Sequence, residues 1–292
     1  MLKKLATRCH LRLKHGHNLR IILQLGFNYI LLASLKIHKC LHGIKRPIVH
    51  YYTVCWNEER ILPFMFDYYS RFVDKFTIYD NHSTDSSLSI IKQHSNAKVI
   101  HFGGAEGFND DENRRIKNSC WKHSRGKADW VIVCDMDEFL FHPDIVNYLQ
   151  ELSHKRVSLP LTEGYEMYSE TFPEYISGNL LTDIVQYGTR SFWLDKHIII
   201  DPHRIVDINY SVGAHQSSPT GFVRRSEQPL KVLHYKHMGI NYFMQRYQQL
   251  GERLSAYNLK NNYGTHYLTK GAELCKEMEQ GLATAQKVIN NQ

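Results

Sequence analysis

Residues 129–141 read Asp-Trp-Val-Ile-Val-Cys-Asp-Met-Asp-Glu-Phe-Leu-Phe, an apolar run stopped abruptly by acids. The run from Trp130 to Cys134 is short, rich in β-branched residues and uninterrupted, which predicts a strand buried on both faces. Such strands belong to mostly parallel sheets with helices on either side. If the chain stays extended, alternate side chains share a face, so Asp135 and Asp137 point the same way. Two neighbouring carboxylates repel unless a cation lies between them. Hard oxygen ligands of this kind suit Mg²⁺ or Mn²⁺, shared with phosphate oxygens and water. The pattern therefore predicts a divalent metal and a phosphorylated ligand at the C-terminal end of a central strand, the usual ligand side of an open α/β sheet. The plainer alternative is a strand end whose acids are merely solvated.

The residues before this motif repeat a strand–helix rhythm. Ile48–Cys55 predicts a strand, with Asn57-Glu58-Glu59 opening a helix to about Ser70 and placing acids in its first turn. Lys75–Tyr79 predicts a second strand, followed by Ser83 or Thr84 as the cap of a helix over 85–94. Ala97–Phe102 is a third. Gly103, Gly104 and Gly107 then form a loop before a polar helix near 109–124, and the fourth strand ends at Asp135. Four such units imply an α/β fold, Rossmann-like, with a mostly parallel central sheet and helices on both faces. The second half is less regular, an α+β region with short strands at 157–161, 165–169, 184–187 and 197–200. Helices follow from Gly239 to about Leu259 and over 271–290.

Charge divides the chain differently. Residues 1–57 hold ten of its 36 Lys and Arg and none of its 29 Asp and Glu, so the body is slightly acidic and the net charge of +7 belongs to the N-terminal segment. A footprint for nucleic acid spread over the fold is excluded, whereas an anionic membrane surface fits the segment. Ile21–Leu35 is apolar apart from Gln24, Asn28 and Ser34 and is flanked by Arg20, Lys36 and Lys39. Fifteen helical residues span roughly 22 Å, short of the ~30 Å hydrocarbon layer. This predicts an interfacial helix on a cytoplasmic leaflet, with packing on the protein's own body as the alternative. The boundary falls near residue 46: residues 1–46 form the basic and apolar segment, and 47–292 form one domain, with a ligand-binding half (47–141) and a second half with C-terminal helices (142–292). Six cysteines with no Cys-x-x-Cys spacing fit a reducing, cytoplasmic compartment at the inner face of the cell membrane.

Three motifs in order (Asn57-Glu58-Glu59 after the first strand, Asp80-Asn81-His82-Ser83-Thr84-Asp85 after the second, Asp135-Met136-Asp137-Glu138-Phe139-Leu140 after the fourth) resemble the GT-A-fold glycosyltransferases of the family 2-like group. The form of the last motif resembles the bacterial polysaccharide-synthesis branch. So do Glu163-Gly164-Tyr165-Glu166-Met167, Ile208-Asn209-Tyr210, Gly213-Ala214-His215, Leu233-His234-Tyr235-Lys236, Arg246-Tyr247, Arg253-Leu254-Ser255 and Asn258. The resemblance spans roughly 47–268. It departs from the group in three places. Asn81 and His82 stand where many relatives carry an acid and a glycine, Val54 replaces a usual proline, and no Glu-Asp pair marks a catalytic base.

The resemblance implies a metal-dependent transfer, inverting in outcome. A sugar passes from a nucleotide-sugar donor, a UDP-sugar foremost, to a glycan or lipid-linked acceptor in cell-surface polysaccharide (capsule, lipopolysaccharide or exopolysaccharide) synthesis. Mn²⁺ or Mg²⁺ held by Asp137, with Asp135 acting through water or ribose, would stabilise charge growing on the departing diphosphate. Trp56, Asn57, Glu58 and Asp80 would meet the nucleotide. Arg114 and Asn118 on the helix after the glycine loop would line its side. His234 is a candidate third metal ligand or diphosphate contact, Lys236 a diphosphate partner, and His215 an acceptor-pocket residue. For the base that takes the acceptor's proton, Asp195 ranks first and Glu166 second among Glu163, Glu166, Asp183, Asp195 and Asp201. Two rivals stand beside this reading: a phosphohydrolase of the haloacid-dehalogenase type, and a non-catalytic carbohydrate-binding protein on the same fold. The former places its nucleophilic Asp near the chain start, before a small hydroxyl pair, and here Glu138-Phe139 follow instead.

Overall fold

A computed structural model describes residues 18–104 and 107–289. Four strands, β1 (Val49–Cys55), β2 (Lys75–Asp80), β3 (Ala97–His101) and β4 (Trp130–Val133), lie parallel in the order β3-β2-β1-β4. The second half adds β5 (Glu138–Phe141), β6 (Thr162–Ser169), β7 (Tyr187–Arg190), β8 (Ile199–Ile200), β9 (Ile205–Asp207), β10 (Thr220–Gly221), β11 (Leu230–Met238) and β12 (Gln286–Lys287). Strand β8 joins the first sheet antiparallel to β4, and β9 pairs with β10. A second, mixed sheet runs β12-β7-β6-β11-β5.

The unbroken apolar runs are explained by where their side chains go. Val49 and Tyr51 of β1, with Trp130 and Ile132 of β4, enter a core shared with helix Leu62–Tyr69. Their neighbours Tyr52, Val131 and Val133 face the other way, onto Cys120 and Trp121 in the turn after helix Asp110–Ser119. Both faces are dry, as the sequence implies for a parallel sheet. In chain order the helices are α1 (Asn18–Leu41), α2 (Leu62–Tyr69), α3 (Ser87–Lys92), α4 (Asp110–Ser119), α5 (Ile145–His154), α6 (Leu181–Ile184), α7 (Ile240–Glu252), α8 (Ala256–Lys260) and α9 (Gly271–Thr284).

The decisive local feature lies after β4. The fourth strand ends at Val133, two residues before its expected end, and Asp135–Asp137 form a turn in which Glu138 N–H donates to the Asp135 carbonyl (3.1 Å). The chain then enters the second sheet, where Glu138 pairs with His234 of β11. The acidic motif is therefore the crossing point between the sheets, and its acids share a side because the turn presents them. Buried aromatics lock this crossing. Tyr69 Oη accepts from Leu140 N–H (2.8 Å) and donates to the Glu138 carbonyl (2.9 Å), while Phe139 packs edge-on against Tyr235 with ring centroids 5.0 Å apart.

Other expectations shift. Helix α2 starts at Leu62, because Pro63 suits a first helical turn and Asn57 takes a left-handed φ of 51°. Glu58 and Glu59 consequently lie outside it. Neither Ser83 nor Thr84 caps α3; the Asp85 carboxylate accepts from Ser87 N–H instead (2.9 Å). Residues 157–161 are not a strand, since the Ser158 and Leu159 amides donate to the Arg224 carbonyl (2.9 and 3.1 Å) across a loop. Residues 181–184 are a helical turn, and the strand expected at 184–187 begins only at Tyr187. The long C-terminal helix breaks at Arg253–Ser255. The apolar N-terminal helix is longer than expected, with 24 residues.

Candidate active site

A cleft of about 640 Å³ opens over the acidic turn, within the range that holds a small-molecule ligand. Asp135, Asp137 and Glu138 form its floor. Glu166 of β6 and His234 and Lys236 of β11 line one side, and Asp110, Asn113 and Lys117 of α4 line the other. Tyr242, Arg246 and Tyr247 of α7 and the segment 253–267 complete the wall. That segment is tied back to the glycine loop. Phe108 N–H donates to the Arg253 carbonyl (3.1 Å), and Asn258 accepts from Asp110 N–H (3.0 Å). Gly107, at φ 85°, makes this closure possible, because a Cβ there would sit 2.7 Å from the Arg253 carbonyl oxygen.

The two acids of the motif have different partners. Asp135 accepts from Lys117 Nζ at 2.6 Å and lies 3.6 Å from Lys196 Nζ, whose ammonium also contacts Glu138. Burial alone would raise the Asp135 pKa, but the two ammonium groups hold it well below the usual carboxylate range. Lys196 is itself buried and raised, since the charges of Glu138 and Asp135 outweigh its loss of hydration. Asp137 instead faces an imidazole: its Oδ2 is 3.3 Å from His234 Nε2. The other ring nitrogen donates to Glu166 Oε2 at 2.8 Å. Burial opposes both charges here too, yet His234 is held well above its ordinary value by Glu166 and Asp137, and Glu166 falls well below its own.

This arrangement sorts the residues expected from sequence. Asp137, His234 and Glu166 come together, and Glu166 is hydrogen-bonded to the His234 ring rather than standing free. It is shared with His237, whose Nδ1 lies 3.4 Å away. Asp135, expected beside the metal, is engaged by Lys117 through Oδ1 and approached by Lys196 at Oδ2. Asp195 is outside the cleft, where it accepts from Gly164 N–H (2.9 Å) and pairs with Arg190 (2.7 Å). Gly164 is required there, because a Cβ would overlap Leu194.

Asp80 is fully buried beneath its loop, accepting from Ser83 N–H (3.3 Å) and contacting His101 (3.1 Å). Asn57 accepts from Thr84 N–H (2.7 Å), and Glu58 pairs with Arg246. Trp56 lines the cleft with the Arg253 guanidinium 4.0 Å above its ring. Lys236 lies by the rings of Phe243 and Tyr247 (5.3 and 5.0 Å) and 3.5 Å from Glu277. His215 reaches the cleft through its contacts with Trp193.

On α4 the cleft-facing residues lie one position away from those expected. Arg114 turns to Asp111 (2.5 Å) and Asn118 to the backbone of Tyr210 (2.7 and 3.2 Å), whereas Asn113 and Lys117 face the cleft. The three-to-four-residue spacing of Asp110, Asn113 and Lys117 is the signal that marks this face. Lys196, Arg246 and Arg253 join the site with no counterpart among the expected residues. Arg246 donates to the carbonyls of Trp56 and Asn57 (both 3.1 Å), and Arg253 to that of Asn81 (2.9 Å), so both tie the wall to the first sheet.

The model of glycosyltransferase family 92 matches residues 50–290, nearly all of the body. The chain belongs to glycosyltransferase family 92. It is thus an enzyme of sugar transfer, and the phosphohydrolase and non-catalytic readings fall. The GT-A-like transferase drawn from the three motifs holds, with family 92 as the matching family. No curated protein matches the chain in sequence. Among solved structures, residues 1–349 of TarS from S. aureus align at 12% identity over 76% of this chain and 70% of that one, with a TM-score of 0.40. The same fragment in complex with UDP-GlcNAc gives 12% identity, 76% and 71% coverage and a TM-score of 0.39. Glucosyl-3-phosphoglycerate synthase from Mycobacterium tuberculosis, with phosphoglyceric acid, gives 19% identity, 41% and 44% coverage and a TM-score of 0.28. Likenesses this distant do not carry a substrate across.

Proposed function

We propose that this transferase moves a sugar from a nucleotide-sugar donor, UDP-linked in our reading, to a glycan or lipid-linked acceptor, with inversion. Asp137 and His234 would hold Mn²⁺ or Mg²⁺. The observation that carries the proposal is the Asp137–His234–Glu166 relay. One imidazole nitrogen faces a carboxylate at 3.3 Å, and the other is fixed by a second carboxylate at 2.8 Å. Carboxylate-oriented histidines are the usual form of an imidazole ligand. Among the described residues no group of three or more His, Cys, Asp or Glu is placed to hold a metal ion by itself. A cation held by Asp137 and His234 would therefore need diphosphate oxygens and water to complete its shell. The imidazole in the donor set favours Mn²⁺ over Mg²⁺.

When bound, the cation would supply charge stabilisation for the leaving diphosphate. The chain's own residues supply the rest. Glu166 holds the His234 ring in place. Lys117 and Lys196 neutralise Asp135, so it does not repel the diphosphate. Lys236 and Arg246 add positive charge to the same wall. A carbohydrate acceptor in cell-surface polysaccharide synthesis rests on the motif resemblance alone. The five described cysteines, all unpaired, agree with action in the cytoplasm. A thermal-shift screen of nucleotide sugars with and without Mn²⁺ tests the reading, because a ligand bound only by the folded state raises its melting temperature. We expect a UDP-sugar to stabilise the protein only with Mn²⁺. Equal stabilisation without metal would overturn the metal assignment, and no response to any nucleotide would overturn the donor class.

A further inference from the structure

Helix α1 has two unlike faces. Ile21, Asn28 and Leu35, seven residues apart, form an inner line that is buried against the body. Asn28 Nδ2 donates to the His203 carbonyl (3.1 Å), and Leu31 packs beside Gly126. Both ends are pinned by ions: Arg20 pairs with Asp207, and Lys39 Nζ is 2.6 Å from Asp129. On the opposite side Leu19, Leu23, Ile30, Ile37 and Leu41 form a second line, each between 61% and 77% exposed. A soluble helix places charges there. The span Leu19–Leu41 is long and apolar enough to cross a membrane, and 24 residues measure about 36 Å. A crossing helix, however, would have to leave Asp207, Asp129 and the His203 carbonyl without these partners and carry Asn28 into hydrocarbon.

We propose that α1 stays docked and that its outer face lies in the interfacial layer of an anionic bilayer, with the helix axis in the membrane plane. Charge selects the occupant. Residues 1–57 carry ten basic and no acidic side chains; Arg20, Lys39 and Arg46 pair with Asp207, Asp129 and Asp74 of the body, and five others precede α1 in the sequence at Lys3, Lys4, Arg8, Arg12 and Lys14. Such a segment is drawn to anionic headgroups, while the apolar line supplies the buried area. The inference does not depend on the transfer reaction.

Flotation of the full chain with vesicles of phosphatidylglycerol and phosphatidylcholine tests it, against vesicles of phosphatidylcholine alone. Binding is expected to the anionic vesicles and to weaken with salt. The variant Leu23→Glu/Ile30→Glu/Ile37→Glu should lose about tenfold or more in vesicle affinity with its melting temperature unchanged. As a milder probe, the indole introduced by Ile30→Trp should be quenched by brominated lipid. Three results would overturn the proposal. One is a triple variant that floats like the parent, or an introduced indole that escapes quenching. Another is a parent chain that ignores vesicles and forms a dimer dispersed by the triple variant, which would assign the face to a second copy. The third is an N-terminal tag reached by protease only from the side opposite the body, which would mean that the helix spans.

Discussion

The two sides of the acidic turn answer charge by opposite means. On the first-sheet side, Asp135 is met by permanent cations, Lys117 and Lys196, and the charge is settled within the protein. On the second-sheet side, among the described residues, the Asp137 carboxylate pairs with the imidazole of His234, which in our proposal gives up its proton to accept a metal. The first arrangement builds a rigid floor, and the second leaves room for a ligand's charge. Two identical residues separated by one methionine thus meet different partners, because the chain changes sheets between them, and our proposal gives the structural role to Asp135 and the chemical one to Asp137.

The largest expected effect breaks the chemical side. Asp137→Ala should lower turnover by about a thousandfold or more, the scale of losing a main transition-state electrostatic contact. It should also remove metal-dependent nucleotide binding while leaving the fold near its parent stability. Turnover assays and thermal melts together check this, and comparable activity in the variant would refute the division of roles. Lys196→Met breaks the structural side. It strands buried Glu138 and crowds Asp135, at a cost of about 3–5 kcal/mol in unfolding free energy, measurable by urea titration. A loss below about 1 kcal/mol, within the range of an exposed pair, would show that the floor is not held by charge.

Glu166→Gln should act more mildly. The amide cannot stabilise the ring as a carboxylate does, so the Mn²⁺ concentration for half-maximal activity should rise about 10–100-fold. Saturating metal should restore most of the turnover. A variant that stays inactive at saturating metal would return Glu166 to the role of base.

The smallest effect concerns pH. In the first sheet His50 is lowered to about 4, mainly by burial. Its unfolded form binds a proton at higher pH than the folded form does. Stability is therefore fully present above about pH 6.5 and is lost as the pH falls toward 4, by up to about 2 kcal/mol at pH 5. His50→Gln, which can still bond Ser124 (2.8 Å from the imidazole), should flatten this acid limb in melts recorded from pH 7 to pH 5. An unchanged slope would assign the acid sensitivity to other groups.

The first sheet was legible because strands buried on both sides write themselves as apolar runs, and Trp130–Val133 needs no partner to be recognised. The second sheet was legible only in part, at residues 165–169. Strand β6 alternates buried and half-buried residues only from Thr162 to Tyr165, and half-buried Glu166 breaks the pattern. Val157–Leu161 looked like a strand only because it is apolar. At the site, Asp137 and His234 were visible as chemistry beside apolar strands. Lys196 was hidden because its partners lie 58 and more residues earlier and meet it only through the sheet crossing. The α4 face was missed by one residue, about 100° around the helix, since periodicity marks a face more securely than it marks its edge. Asp195 was carried over by its position along the chain, and nothing local in the sequence shows that Arg190 and Gly164 turn it away.

Electron-spin-echo spectroscopy of Mn²⁺ bound to the protein with UDP reads the metal's nearest nuclei and bears directly on the central claim. The account predicts modulation from one imidazole nitrogen in the parent chain, lost in His234→Gln, together with phosphorus coupling from the nucleotide. Manganese bound with phosphorus coupling but no nitrogen would contradict it.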